Sequence, residues 1–230
     1  MNDILSDPRF LLYEGLLLRE NAKYNLTSIT DPEEIRQKHF ADSLALLEYS
    51  GAQRMLTQPE GDCSPQVLDV GSGAGFPGVP LAIARPDWRV TLLEATAKKA
   101  RFLRLLAEEL GLPLTVVNAR AEAAAHNPAL RERFDLVVSR AVAALPMLCE
   151  LCLPFVRPGG LFAAYKGTGE RAGEELAHAA RTIATIGARC EKIAEETTVY
   201  GQRTLVMLRK ISQTPANYPR NHGTMLKTPL

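Results

Sequence analysis

The chain has 230 residues, 46% of them aliphatic, aromatic or Cys, with 27 basic and 26 acidic side chains. That is enough apolar material for a sizeable core and an ordinary charge content, which excludes a disordered chain, a collagen and a small disulfide scaffold. No apolar run reaches the length a membrane-spanning helix needs, and the start Met1-Asn2-Asp3-Ile4-Leu5-Ser6-Asp7-Pro8 lacks the pattern of a secretory leader. Four scattered cysteines, Cys63, Cys149, Cys152 and Cys190, are expected in a reducing, cytoplasmic setting.

Residues 1–60 read as helical. Phe10 to Arg19 is leucine-rich, and Glu33 to Tyr49 carries Ile35, Phe40, Leu44 and Leu47 close to a 3.6-residue period. Asp31-Pro32-Glu33-Glu34 has the chemistry of a helix start. Gly51 to Pro65 reads as a linker. The expected organisation is a helical appendage over 1–60 and a main domain over 61–230.

From Gln66 strands alternate with helices. Strands are predicted at Val67–Val70, Arg89–Glu94, Leu114–Val117, Phe134–Ser139 and Leu161–Tyr165, with Pro158-Gly159-Gly160 as the turn into the fifth. Two further β-rich stretches, Ile193–Val199 and Thr204–Leu208, are close enough to pair as an antiparallel hairpin at one edge. Helices are predicted after the first strand as far as Ala84, over Ala97–Leu110 with Gly111 as its stop, near Leu145–Leu153, and near Glu170–Ile186. The fold class this implies is α/β: a doubly wound, mostly parallel seven-stranded sheet covered by helices on both faces.

The strongest local signal is Asp69-Val70-Gly71-Ser72-Gly73-Ala74-Gly75-Phe76-Pro77-Gly78, directly after the first strand. Glycine there lets the backbone turn sharply and approach a ligand closely. Glu94, at the end of the second strand, is spaced to take both hydroxyls of a ribose. Asp69 beside the turn suits a cationic ligand and disfavours a pyrophosphate, which argues against a nicotinamide dinucleotide.

These residues resemble the class I S-adenosylmethionine-dependent methyltransferases. Asn25-Leu26-Thr27, His39 with Asp42-Ser43-Leu44, the Gly-Phe-Pro-Gly turn, Lys99 with Arg101-Phe102-Leu103, Ser139-Arg140-Ala141 and the ending Pro219-Arg220…Lys227-Thr228-Pro229-Leu230 narrow the likeness. Together they resemble the bacterial 16S rRNA guanine-N7 methyltransferase family, also called the glucose-inhibited division protein B family, over Leu16 to Leu230. The sequence departs from the family pattern at Glu20, where Trp is common. The resemblance implies a methyl transfer from S-adenosylmethionine to a guanine of 16S rRNA or the small ribosomal subunit, by a monomer. It implies cofactor binding by Asp69, Gly71, Gly73, Gly75, Phe76, Glu94, Ala121, Glu122 and Arg140. A non-catalytic ribosome-binding or assembly module with the same fold is the alternative.

RNA-facing candidates are Asn25, His39, Lys98, Arg101, Arg104, Lys166, Arg220 and Lys227. Lys98, Lys99, Arg101 and Arg104 put four cations within seven residues, and no carboxylate follows Glu196. Near the appendage, Ser43 joins Asn25 and His39 as a possible contact, while His39 has a structural alternative in an i,i+3 bond to Asp42. For Arg220 and Lys227 the competing account is a tail packed on Tyr218 and Leu230. Cys149-x-x-Cys152 lies in an apolar helix and reads as buried thiols, so no metal is expected. No catalytic residue is assigned.

Overall fold

The computed structural model describes residues 2–48, 64–198 and 201–230. Nearly all of the expected linker, Cys63, Tyr49 and Val199 lie outside them. The chain opens with α1 (Asn2–Leu5) and α2 (Pro8–Tyr24). The second is longer than the predicted 10–19, because Asp7 caps it, Pro8 fills its first position, and it ends only at Asn25 in the left-handed conformation with φ 50°.

The second predicted helix is present as one uninterrupted helical run over 32–48, but it is not a regular α-helix. It is built from α3 (Pro32–Ile35), a wide turn over Arg36–Ala41, α4 (Asp42–Leu44) and a tight turn over Ala45–Glu48. Such widened turns shift side chains from a regular helix's spacing. Phe10, Tyr13, Leu16 and Leu17 of α2 bury together with Ile35, Phe40 and Leu44.

Among the described residues the sheet has seven strands, β1 (Gln66–Val70), β2 (Arg89–Glu94), β3 (Thr115–Asn118), β4 (Phe134–Arg140), β5 (Val156–Lys166), β6 (Ala188–Thr198) and β7 (Gly201–Lys210). Their order is β3-β2-β1-β4-β5-β7-β6. The first five pair in parallel, and β7 inserts antiparallel between β5 and β6. The predicted edge hairpin is present, and both of its strands are longer than the apolar runs that signalled them.

Connections are α5 (Gly78–Ala84), α6 (Ala97–Glu109), the single turn α7 (Ala121–Ala124), α8 (Leu145–Cys152) and α9 (Gly169–Thr185), with α10 (His222–Lys227) in the tail. Strand residues alternate between two cores. Val67, Val90, Leu92, Leu136 and Val138 face α2, α5 and α6. Leu68, Leu93, Val137, Phe162 and Val206 face α8 and α9. A sheet buried on both faces requires this period of two with apolar residues at every step. The parallel strands thus end together at one edge, where the glycine turn, Glu94 and Arg140 emerge.

Candidate functional site

The turn after β1 is held by its own chain. Asp69 is fully buried, and its Oδ2 accepts the Gly78 N–H at 3.0 Å while Ser72 Oγ donates to the Asp69 carbonyl at 3.0 Å. Burial pushes the Asp69 carboxyl up to about 7, and its Oδ1 has no partner among the described residues. A carboxyl in that position ties the turn shut rather than reaching a ligand across it.

Gly71 (φ 74°) and Gly73 (φ 59°) both lie in the left-handed region, where a side chain is strained. A Cβ on Gly73 would meet no nearby atom closer than the Gly71 carbonyl at 3.8 Å, so this stretch of backbone faces open space. Glu94 closes the other side. Its Oε2 accepts the Gly73 N–H at 2.9 Å and its Oε1 the Thr96 N–H at 2.7 Å.

Beside this contact lies a cleft of about 300 Å³, lined by Gly71, Gly73, Glu94, Lys99, Ala121 and Glu122 among others, and also by Val142, Leu151 and His222. Five predicted cofactor residues therefore come together here: Gly71, Gly73, Glu94, Ala121 and Glu122. Asp69, Gly75 and Phe76 stand behind the turn instead. Gly75 admits Tyr13, whose hydroxyl donates to the Ala74 carbonyl at 2.6 Å. Phe76 is a packing platform, with His39 stacked on it at a centroid distance of 4.4 Å and the Arg140 guanidinium 4.9 Å from its centre.

Arg140 opens into a second cleft, of about 590 Å³, lined by Lys38, His39, Asp42, Tyr165, Lys166, Arg171 and Arg203 among others. Ala141 lines both clefts, and its φ of 56° is unusual for a residue with a side chain. The left-handed step at Ala141 sends Arg140 and Val142 to different clefts.

Within the second cleft the expected His39–Asp42 bond is replaced. Arg140 lies between the two, donating from Nη1 to Asp42 Oδ2 at 2.8 Å and from Nη2 to His39 Nδ1 at 3.2 Å. A guanidinium is always a donor, so Nδ1 is the acceptor and the ring proton sits on Nε2, which donates to Thr27 Oγ1 at 2.9 Å. Burial, with the neighbouring Arg140 charge, lowers the His39 pKa to about 4. Asp42 also pairs with Arg203 at 3.1 Å.

Other predicted residues separate. Ser43 is buried, its hydroxyl donating to the His39 carbonyl, and Tyr165 donates to the Ser43 carbonyl at 2.7 Å. Lys166 lines the second cleft and pairs with Glu175 at 2.6 Å. Asn25 is exposed at the end of α2; the turn that follows is held by Asn21, whose Oδ1 accepts the Leu26 and Thr27 N–H groups. Lys98, Arg101 and Arg104 are exposed along α6.

Arg220, expected on an RNA-facing rim, is a clamp. It grips the buried Glu150 through Nε at 2.8 Å and Nη2 at 2.7 Å, and Nη1 donates to the Thr228 carbonyl. Lys227 is exposed. Cys149 and Cys152 are fully buried free thiols, which burial keeps protonated, and among the described residues no group of His, Cys, Asp or Glu is arranged to hold a metal ion. None of the described helices is long and apolar enough to cross a membrane. Sequence reasoning missed Tyr13, Asn21 and His222 as parts of the site. Tyr13 lies in an apolar helix where core packing is the default reading, and His222 is a lone histidine in a basic tail.

The sheet order, with an antiparallel seventh strand inserted beside the fifth and a glycine turn facing an acid across β1 and β2, defines a class I methyltransferase fold. Solved structures agree on the fold. A putative O-methyltransferase from Klebsiella pneumoniae superposes with a TM-score of 0.56 at 15% identity, covering 87% of this chain and 90% of that one. A mutant 16S rRNA (adenine(1408)-N(1))-methyltransferase from Catenulisporales acidiphilia gives 0.54 at 15% identity, covering 74% and 91%.

Sequence goes further. Residues 7–226 match the family model described as rRNA small subunit methyltransferase G (GidB), and the chain belongs to that family. The ribosomal RNA small subunit methyltransferase G of Clostridium novyi (strain NT) is 39% identical over 225 residues, 96% of this chain and 88% of that protein. That of Lactobacillus johnsonii is 42% identical over 226 residues, 96% and 90%.

Proposed function

We propose that this protein transfers a methyl group from S-adenosylmethionine to N7 of a guanine in 16S rRNA, acting as a monomer in the cytoplasm. The observation that carries the reading is the pairing of two clefts across Ala141, one with Glu94 facing a glycine turn and one rich in cations, in a chain of this family.

The first cleft fits the cofactor. Gly73 leaves open the space a side chain would take, and Glu94 retains lone pairs for ribose hydroxyls beyond the two backbone N–H groups it accepts. Ala121 and Glu122 continue the cleft past Glu94. When bound, S-adenosylmethionine supplies a methyl group activated by its sulfonium.

The target atom requires little from side chains. Guanine N7 is an unprotonated lone pair, so no general base is needed and positioning supplies the acceleration. Arg140 is the positioning residue we assign, fixed by Asp42, His39 and the Phe76 ring and aimed into the second cleft. His39, held neutral, contributes shape and a hydrogen-bond anchor rather than charge. Lys38, Lys166, Arg171 and Arg203 line the same space, the first, second and fourth paired with Glu34, Glu175 and Asp42. With Arg140 they outnumber the lining carboxylates Asp42 and Glu175, a balance suited to RNA phosphates. We assign the cations of α6 and Lys227 to outer phosphate contacts, and the segment 1–60 to an appendage that covers the substrate side of a domain over 61–230.

The test is methyl transfer from labelled S-adenosylmethionine to unmodified 16S rRNA and to small ribosomal subunits, with the product mapped by strand cleavage at 7-methylguanine. Label at one guanine is expected. Cofactor and RNA binding without transfer to either substrate would sink the proposal and leave the non-catalytic module.

A further inference from the structure

The segment after β7 contributes one residue, His222, to the lining of the first cleft. After β7 the chain runs back along the segment between β3 and β4, held there by a series of polar contacts. Glu132 accepts from the Thr214 N–H at 2.6 Å and pairs with the buried Lys210 at 2.9 Å. Arg131 donates to the carbonyls of Tyr218 at 2.8 Å and Thr214 at 3.0 Å. His126 Nε2 meets the Pro219 carbonyl at 2.9 Å, and Arg220 clamps Glu150. Met225 is buried in the core under α8 and α9.

This strapping has a consequence at one residue. His222, two positions after Arg220, stands in the cleft wall with Ala119, Ala121, Glu122 and Leu151. Burial raises the Glu122 carboxyl, but the Arg120 hydrogen bond, a backbone hydrogen bond and the nearby charges of Arg120 and His222 together hold it below the usual carboxylate range.

The ligand's chemistry orders the cleft. If Glu94 holds the ribose, the two remaining ends of S-adenosylmethionine fall at the glycine turn and at the 119–122 end. The 119–122 end offers the apolar side chains of Ala119, Ala121 and Leu151, which suit the flat face of a purine, beside Arg120 and Glu122, which can meet its polar edge. We infer that His222 binds the adenine of the cofactor, so that the C-terminal tail is a structural part of the cofactor site. This rests on the reading of the first cleft as the cofactor cleft. An imidazole offers a purine both a planar face and a hydrogen-bonding nitrogen.

The experiment is calorimetric titration of the full chain with S-adenosylmethionine, S-adenosylhomocysteine and adenosine. His222→Ala is expected to raise all three Kd values by a similar factor, roughly five- to tenfold, because the lost contact is to the shared purine. His222→Phe, which keeps a planar face, recovers part of the loss. Melting temperature should hold in both, since His222 makes none of the strap contacts described. Arg131→Met, which loosens the strap, should also weaken binding, and His222→Ala should add little on top of it. Wild-type Kd values in His222→Ala, or a loss for S-adenosylmethionine with none for adenosine, would overturn the inference. Glu94→Gln separates the two readings: if it weakens binding while His222→Ala does not, the cleft assignment stands and only the role of His222 falls. Wild-type protein that binds none of the three ligands overturns both.

Discussion

Glu94 Oε2 accepts the Gly73 N–H at 2.9 Å, so the acid ending the second strand is bonded to the glycine turn that follows the first. Strand pairing makes this contact possible: β1 and β2 run parallel in register, Val70 opposite Leu93, so their C-terminal ends emerge side by side. The same carboxylate accepts the Thr96 N–H, so it organises the turns after both strands. Sites in open parallel sheets gather at such strand ends.

Glu94→Gln is therefore expected to act twice. An amide offers one oxygen, so its NH2 faces either the Gly73 or the Thr96 N–H, donor against donor, and the charge that strengthens ribose hydrogen bonds is gone. Affinity for S-adenosylmethionine should fall by about 1.5–3 kcal/mol, read by calorimetry, with the fold retained. An unchanged Kd would remove Glu94 from the cofactor site.

At Gly73 the positive φ alone is estimated to cost an L-residue about 1–2 kcal/mol. A valine side chain would also fill the space opposite Glu94. Gly73→Val is expected to abolish cofactor binding while circular dichroism stays native-like. Methyl transfer at the wild-type rate would show that the turn is structural only.

Much of this was legible in the sequence because buried strands bounded by Gly, Pro and Asn leave a strong pattern. The start of β5 was not, since Pro158-Gly159-Gly160 reads as a turn; in the structure it is a bulge, and the partner register jumps from Phe134↔Val156 to Leu136↔Leu161. The start of β6 was hidden for a different reason: Arg189, Glu191 and Lys192 belong to an edge strand, which carries polar residues as a matter of course. Glu94 and the glycines could be found because their chemistry is local. Asp69 was legible as part of the motif but not its direction, which depends on Gly78 nine residues on. His222 had no local signature, because its place is fixed by Arg131, His126 and Glu150, all distant in sequence.

His39 gives a signed pH prediction. Its pKa is about 4 in the folded protein against an ordinary 6.5. Between those values the unfolded chain takes up a proton that the folded one refuses, so the contribution of His39 to stability is lost as pH falls from about 6.5 toward 4. Asp69 acts oppositely: with its pKa near 7 against 3.8, the folded chain holds a proton the unfolded one has released, and stability falls as pH rises through that window. His39→Gln isolates the first effect, because an amide can still donate to Thr27. Wild-type stability, measured by denaturant unfolding, should drop more steeply than the variant's on acidification from pH 6.5 to 4. Parallel curves would contradict the buried, neutral imidazole.

The two cations of the tail should separate under mutation. Arg220 grips Glu150, which is 2% exposed, so Arg220→Ala leaves a buried carboxylate without its cation, holding of these contacts only the backbone N–H of residue 220. Breaking a buried pair from one side costs about 3 kcal/mol or more, and the melting temperature should fall accordingly. Because its guanidinium is already committed to Glu150 and Thr228, the salt dependence of RNA binding should keep its slope if measured well below the transition. Lys227 is exposed at the end of α10, and Lys227→Ala should leave the unfolding free energy within about 0.5 kcal/mol of wild type and the melting temperature nearly unchanged. If it contacts a phosphate, the slope of log affinity against log salt should flatten by about one unit for double-stranded RNA, slightly less for a single strand. Mutating Lys98, Arg101 and Arg104 together on α6 gives the comparison, with a flattening of up to about three units if all three meet phosphates. A flattened slope in Arg220→Ala with unchanged stability would reverse the roles assigned here, making Arg220 the RNA contact and its bond to Glu150 incidental. A flattened slope in Lys227→Ala and the α6 variant, beside a lowered melting temperature in Arg220→Ala, is the expected pattern.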